Sequence, residues 1–178
     1  MRTAIEKTKS VRKLRSNRGQ LKSLIATHPF VKGLSPLHLG ALADYAMMAE
    51  FAPGQMIFSE GEIANRFYLL FDGEVVLESK AGGSQPVLIQ TLGAGDVVGW
   101  SWMFEPYVWH FDARAVNPTQ AIFFYGTWLR EFCDLNPELG YGLIKRMAQV
   151  LIQRLQATRQ HLAQRRDEIS PPSIQPKS

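Results

Sequence analysis

A single cysteine, Cys133, is the only thiol among 178 residues. That excludes an intramolecular disulfide and any zinc or iron–sulfur site built from several thiolates of one chain. Long apolar runs are missing too: none approaches the roughly 18 residues a membrane span requires. The basic N-terminus is not followed by the apolar stretch of a signal peptide, so a cytoplasmic protein is expected. Histidine is scarce, and His28, His38, His110 and His161 show no metal-ligand spacing. There is no P-loop or dinucleotide-binding glycine pattern and no nucleophile–base pairing, so no metal site and no enzyme is expected.

Charge of one sign is concentrated at one end. Residues 1–19 carry Arg2, Lys7, Lys9, Arg12, Lys13, Arg15 and Arg18 against Glu6, a net +6 in a chain of net +4, which leaves the remainder at −2. Residues 1–20 are therefore expected to form a basic flexible arm. It is either a solvated extension or a nonspecific contact for an anionic partner, whether nucleic acid, anionic lipid or an acidic protein. Cys133 falls in an apolar-rich helical segment, where packing is its expected role.

What is present falls into two regimes. Leu21, Leu24 and Ile25 give a short helical stripe ending at His28-Pro29. Ser35-Pro36 then supplies an N-cap and a first-position proline for a helix reaching toward residue 44. From about residue 47 short strands alternate with glycine turns: 55–58, 66–71, 74–78, 87–92, 96–98, 109–116 and 120–125. Asp72-Gly73 between the second and third of these reads as a hairpin turn. Strands this short and this frequent predict an antiparallel barrel, roll or sandwich. The chain is then helical, first over 127–134. Asn136-Pro137-Glu138 opens a long helix over about 137–165. Ile144, Ala148, Leu151, Leu155, Thr158 and Leu162 form one stripe along it, and Leu143, Met147 and Val150 form an adjoining one. Two stripes need two surfaces; the β-domain and the same helix of a second subunit would supply them. Residues 166–178 are expected to be a disordered tail.

One stretch stands apart. Gly95 to Arg114 reads GDVVGWSWMFEPYVWHFDAR and holds three of the four tryptophans. Trp100, Trp102 and Phe104 alternate, as do Tyr107, Trp109 and Phe111. Two strands joined by a tight hairpin are disfavoured, because Pro106 cannot take the positive φ such a turn needs. The rings either fill a site or line a pocket.

The segments Ile57-Phe58-Ser59-Glu60-Gly61-Glu62, Phe67 to Val75 and Gly95-Asp96-Val97-Val98-Gly99 together resemble the cyclic nucleotide-binding domain of the catabolite activator (Crp/Fnr) family. Arg114-Ala115-Val116 and Arg154-Leu155-Gln156-Ala157-Thr158 fit as well. The resemblance covers residues 28–163, and the domain is expected to span 21–165. It implies a mainly β fold, an antiparallel β-roll with flanking helices and a long C-terminal dimerisation helix. The function implied is regulatory: a small ligand, cAMP, cGMP or another small anion, is sensed and the signal passes through a homodimer of the long helix, with a protein partner downstream. Ile144, Ala148, Leu151, Leu155 and Leu162 would form that dimer seam. Only about a dozen residues follow the helix, too few for the family's helix-turn-helix, so sequence-specific DNA binding is not expected.

The resemblance also locates a phosphate-binding cassette and shows what it lacks. Gly99 keeps the glycine, but Trp100 stands where the family has an acid for the ribose hydroxyl. Trp109-His110, or His110-Phe111 if the loop is one residue shorter, stands where it has arginine and a hydroxyl residue. Indole only donates, so Trp100 cannot replace the acid. A lost charge-assisted bond to phosphate costs roughly 1.5–3 kcal/mol. The remaining ligand contacts implied are Ser101 and Trp102 in a short helix whose N–H groups face the anion, protonated His110, and Thr158 and Arg159 from the long helix. Arg114 is a further contact, with Asp112 on the same strand face as its expected partner. In haem-binding relatives of this kind His110 and Cys133 would be the conceivable axial ligands. A ligand-independent interaction module, plugged by its own tryptophans, is the alternative function.

Overall fold

The computed structural model describes residues 18–79 and 86–169, and the side chains as far as Arg159 except those of Ala157. Its first helix, α1, already covers residues 18–27, so helix begins within the stretch expected as the arm. The rest of the arm, the Gly82-Gly83 turn and the tail beyond 169 lie outside the described residues. A 3₁₀ turn, Pro29–Val31, leads to α2, Pro36–Tyr45, where the Ser35 hydroxyl accepts from the His38 N–H at 3.2 Å as the sequence predicts.

Eight strands follow in two antiparallel sheets: β1 (Met47–Phe51), β2 (Met56–Phe58), β3 (Arg66–Asp72), β4 (Glu74–Ser79), β5 (Val87–Gly93), β6 (Val97–Val98), β7 (Asp112–Ala115) and β8 (Thr119–Tyr125). One sheet has the order β1-β8-β3-β6 and the other β2-β7-β4-β5. The chain crosses between sheets at almost every turn, which makes the architecture a roll. This corrects the hairpin reading of Asp72-Gly73. β3 pairs with β6 and β8, whereas β4 pairs with β5 and β7, so the turn is a corner between sheets. Gly73 has φ +87, and a Cβ there would lie 2.5 Å from the Pro118 carbonyl oxygen. Glycine lets this corner press against the matching β7–β8 corner.

β3 is buried on both faces, and its alternation sorts two cores. Tyr68 and Leu70 face the interior of the roll with Val75, Leu77, Leu92 and Ala113. Phe67 and Leu69 face the helical layer with Ile25, Phe30, Leu129, Leu139 and Met147. Phe67 and Leu69 thus belong to a different core from Val75 and Leu77, because helices cover the back of the first sheet. Ile57 is only partly buried at the edge of the roll core.

Helix α3 spans Gly126–Leu135 and α4 spans Pro137–Ile169, four residues beyond the predicted end. Of the two stripes on α4, Leu143 and Met147 are buried against the chain's own core with Val150 packed beside them. Ile144 and Leu155 are 50% and 61% exposed. Ala148 is exposed and Leu151 half-buried on the same face, while the side chain of Leu162 falls outside the described set.

Candidate functional site

Strand β6 ends at Gly99, whose φ of +83 turns the chain into a 3₁₀ turn, Trp100–Met103. This 3₁₀ turn is the short helix in which the resemblance places Ser101 and Trp102. A single 3₁₀ turn aligns few peptide dipoles and offers an anion less than an α-helix would. After Phe104 the Glu105–Pro106 peptide is cis and Tyr107 takes φ 55. The Arg130 guanidinium lies 4.2 Å from the Tyr107 ring centroid and donates to the Trp102 carbonyl, so α3 clamps the loop. The backbone from 107 to 109 then pairs with 61–64, Ala64 N–H donating to the Tyr107 carbonyl at 2.7 Å and Trp109 N–H to the Glu62 carbonyl at 2.9 Å. That pairing explains why the strand expected from Trp109 begins only at Asp112.

The rings close the site. Trp109 is buried and stacks on Phe58, with centroids 3.9 Å apart and planes 14° from parallel. A Cβ on Gly99 would come within 2.8 Å of the Trp109 ring and 3.0 Å of the Arg66 carbonyl oxygen, so indole occupies the space in front of the glycine. Trp100 stacks on His110 at 5.7 Å and 11°, and His110 Nδ1 shares a hydrogen bond with the Ser101 hydroxyl at 3.1 Å. What remains between Gly99, Trp100, Ser101, Trp109 and His110 is a cavity of about 10 Å³. That is room for about one water, against the roughly 300–1,000 Å³ of ordinary ligand pockets.

Trp102 turns the other way. It is 1% exposed, packs near Phe67 in the helical core, and its indole N–H has no partner among the described residues. Nor does the structure bring Arg114 into the cavity. Arg114 pairs with Glu78 across β4 and β7, at 2.6 and 3.2 Å, rather than with Asp112. Asp112 accepts instead from the Glu60 N–H at 2.8 Å. The cause is the roll's pleat: Ala113 and Ala115 point inward, which puts Arg114 on the outer face. Thr158 and Arg159 are exposed on α4, and the Thr158 hydroxyl donates back to the Arg154 carbonyl at 2.9 Å. Cys133 packs against Gly140 of α4 and is not among the residues lining the cavity with His110.

Arg154 belongs to the long-helix segment that fits the family, but the sequence assigned it no place in the site. From α4 it reaches the cavity wall and donates to the Val97 carbonyl at 2.5 Å. Burial pulls its pKa below the usual arginine value, and the field of Asp96 works against that pull. In sequence it reads as one more polar-face arginine of a long helix; its place four residues before Thr158 was the available signal.

Comparison with known proteins bears on this arrangement. The sequence pattern of the cyclic nucleotide-binding domain matches residues 48–136, half of the chain. The chain belongs to the cyclic nucleotide-binding domain family. It is 25% identical over 143 residues to a CRP-like cAMP-activated global transcriptional regulator of Mycobacterium tuberculosis, covering 80% of this chain but 62% of the relative. The chain thus spans less than two thirds of that relative's length. A cyclic nucleotide-binding-type protein from Geobacter metallireducens is similar at 27% identity and a TM-score of 0.68, over 75% of this chain and 97% of its own. A cyclic nucleotide-binding domain from Methylobacillus flagellatus superposes with a TM-score of 0.70 at 17% identity, over 88% and 86% of the two chains. The β-roll with flanking helices is therefore the family's fold, and the family is a regulatory one. In this cyclic nucleotide-binding domain the space beside Gly99 is about 10 Å³. Among the described residues no helix is long and apolar enough to cross a membrane.

Proposed function

We propose that the chain is a non-enzymatic regulatory domain whose cassette is plugged by its own tryptophans and which signals by protein contact through the α4 face. The cavity of about 10 Å³ carries this reading. A cyclic nucleotide would need Trp109 to leave Phe58 and Trp100 to leave His110 before its phosphate reached Gly99. It would then meet neither the acid nor the arginine of the family pattern, each lost contact costing roughly 1.5–3 kcal/mol. The exposed stripe of Ile144, Ala148 and Leu155 supports a homodimer, because apolar side chains at helical spacing that no described residue covers are what a second copy of the helix would bury.

A second reading, a sensor for a small anion, has one observation in its favour. Arg154 already lines the cavity and would supply a positive charge to an anion that displaced the rings. Tryptophan fluorescence separates the two, since Trp100 and Trp109 line the site. Titration with cAMP and cGMP should leave emission and melting temperature unchanged to millimolar concentration. A saturable change at micromolar nucleotide would replace the plugged reading with the sensor.

A further inference from the structure

A larger space than the cassette holds opposite charges. It is a cavity of about 230 Å³ between α4, the Pro29–Val31 turn and the β5–β6 turn. Arg146 and Asp96 both line it. No ion pair joins them. Arg146 donates to the carbonyls of Gly142 and Lys32, at 2.9 Å each, and Asp96 accepts from the Gly93 N–H at 2.9 Å. Arg154, the other cation near Asp96, gives its hydrogen bond to the Val97 carbonyl. The guanidinium keeps N–H donors, and the carboxylate keeps an oxygen, beyond these backbone bonds. Gln149 and Gln153, one helical turn apart, add amides to the same wall, and Phe30 and Val150 give it an apolar side.

We infer that this cavity is a binding site for a small zwitterion of the α-amino acid class. A carboxylate would meet Arg146 and an ammonium would meet Asp96, each as a charge-assisted bond. The side chain would lie on Phe30 and Val150 within reach of the two glutamines. A simple anion would satisfy Arg146 but leave its charge beside Asp96, and a simple cation has the converse fault. A cavity below the roughly 300–1,000 Å³ range of drug-sized pockets suits a ligand of this size.

The experiment is a ¹⁵N–¹H correlation titration of the whole chain with each common L-amino acid to tens of millimolar. For any that binds, the matching amine without the carboxylate and the matching acid without the ammonium follow. At least one amino acid should shift the amides of Gly95, Asp96, Gln149 and Gln153 saturably while cassette tryptophan emission stays unchanged. Both analogues should bind at least about tenfold more weakly. Asp96→Asn should abolish the shifts without unfolding, since its amide oxygen can still accept from Gly93. Should that variant misfold, Gln149→Met/Gln153→Met, which alters exposed side chains only, should weaken binding severalfold. The proposal is overturned if no amino acid gives a saturable shift, if the acid analogue binds as well as its amino acid, or if the folded variants bind undiminished.

Discussion

Replacing Gly99 with alanine tests whether the cassette is filled as described. Two penalties act at this position. The backbone sits at φ +83, where an L-residue pays roughly 1–2 kcal/mol. The new methyl would also stand 2.8 and 2.9 Å from two atoms of the Trp109 ring and 3.0 Å from the Arg66 carbonyl oxygen. Forcing a methyl into such packing costs typically about 1–3 kcal/mol, so the sum is about 2–5 kcal/mol. Gly54 isolates the first penalty, because it has φ +79 and nothing within 4 Å of its would-be Cβ. The gain from restricting the unfolded chain, about 0.4–1 kcal/mol, applies equally to both alanine variants and cancels in their difference. Urea unfolding followed by far-ultraviolet circular dichroism should therefore find Gly99→Ala less stable than Gly54→Ala by about 1–3 kcal/mol. In a cycle with Trp109→Leu the coupling should recover most of that excess, while the part due to φ persists. If the two glycine variants agree within about 0.5 kcal/mol, the indole does not stand against Gly99 and the plugged cassette is refuted.

Other outcomes follow from the same geometry. Leu155→Glu or Ile144→Glu should turn a dimer into a monomer in sedimentation analysis while leaving monomer stability nearly unchanged, since both side chains are at least half exposed; a dimer that survives both changes would remove α4 from the interface. His28 is 2% exposed and burial lowers its pKa from 6.5, partly offset by the Leu70 and Asp96 carbonyls and the Asp96 charge. The unfolded state then binds the extra proton first, so this contribution is complete above 6.5 and is lost as pH falls from there toward the lower folded value. His28→Gln should flatten that part of the stability profile in urea titrations between mildly acidic and neutral pH. Burial beside Asp134 pushes the Cys133 thiol up to about 11, so alkylation at mildly alkaline pH should be slow in the folded protein and fast in urea. Arg114→Ala should cost no more than about 1 kcal/mol, as expected of a solvent-facing pair, and leave cassette tryptophan emission unaltered.

Much of this molecule is local in origin and was legible as such. Ser35-Pro36 starts a helix wherever the rest of the chain goes, because capping and a fixed proline φ act within one turn; at Asn136-Pro137 the proline alone does so, since the Asn136 side-chain amide donates back to the Phe132 carbonyl instead of capping α4. The glycine-punctuated strands and the two stripes of α4 were visible for the same reason: periodicity records which faces are wet. What failed needed a partner distant in sequence. Asp72-Gly73 looks like a hairpin turn, yet it is a corner between sheets because β4 finds β5 and β7 instead of β3. Arg114 looks available to a ligand, but the pleat aims it outward at Glu78. Arg154 looks like a solvated helix residue, and only the docking of α4 on the roll buries it at the cassette.

The division is sharpest at the tryptophans. Sequence determined that Gly99 is followed by Trp100, Trp102 and Trp109, whose indoles can donate a hydrogen bond but not accept one, since side-chain chemistry is a property of the residue itself. Whether those rings line a pocket or fill one depends on where Phe58, Gly99 and Arg154 meet them. Those residues come from three separate parts of the chain. Tertiary packing brought them together and left about 10 Å³ between them, so the folded chain decided what the residues could only pose.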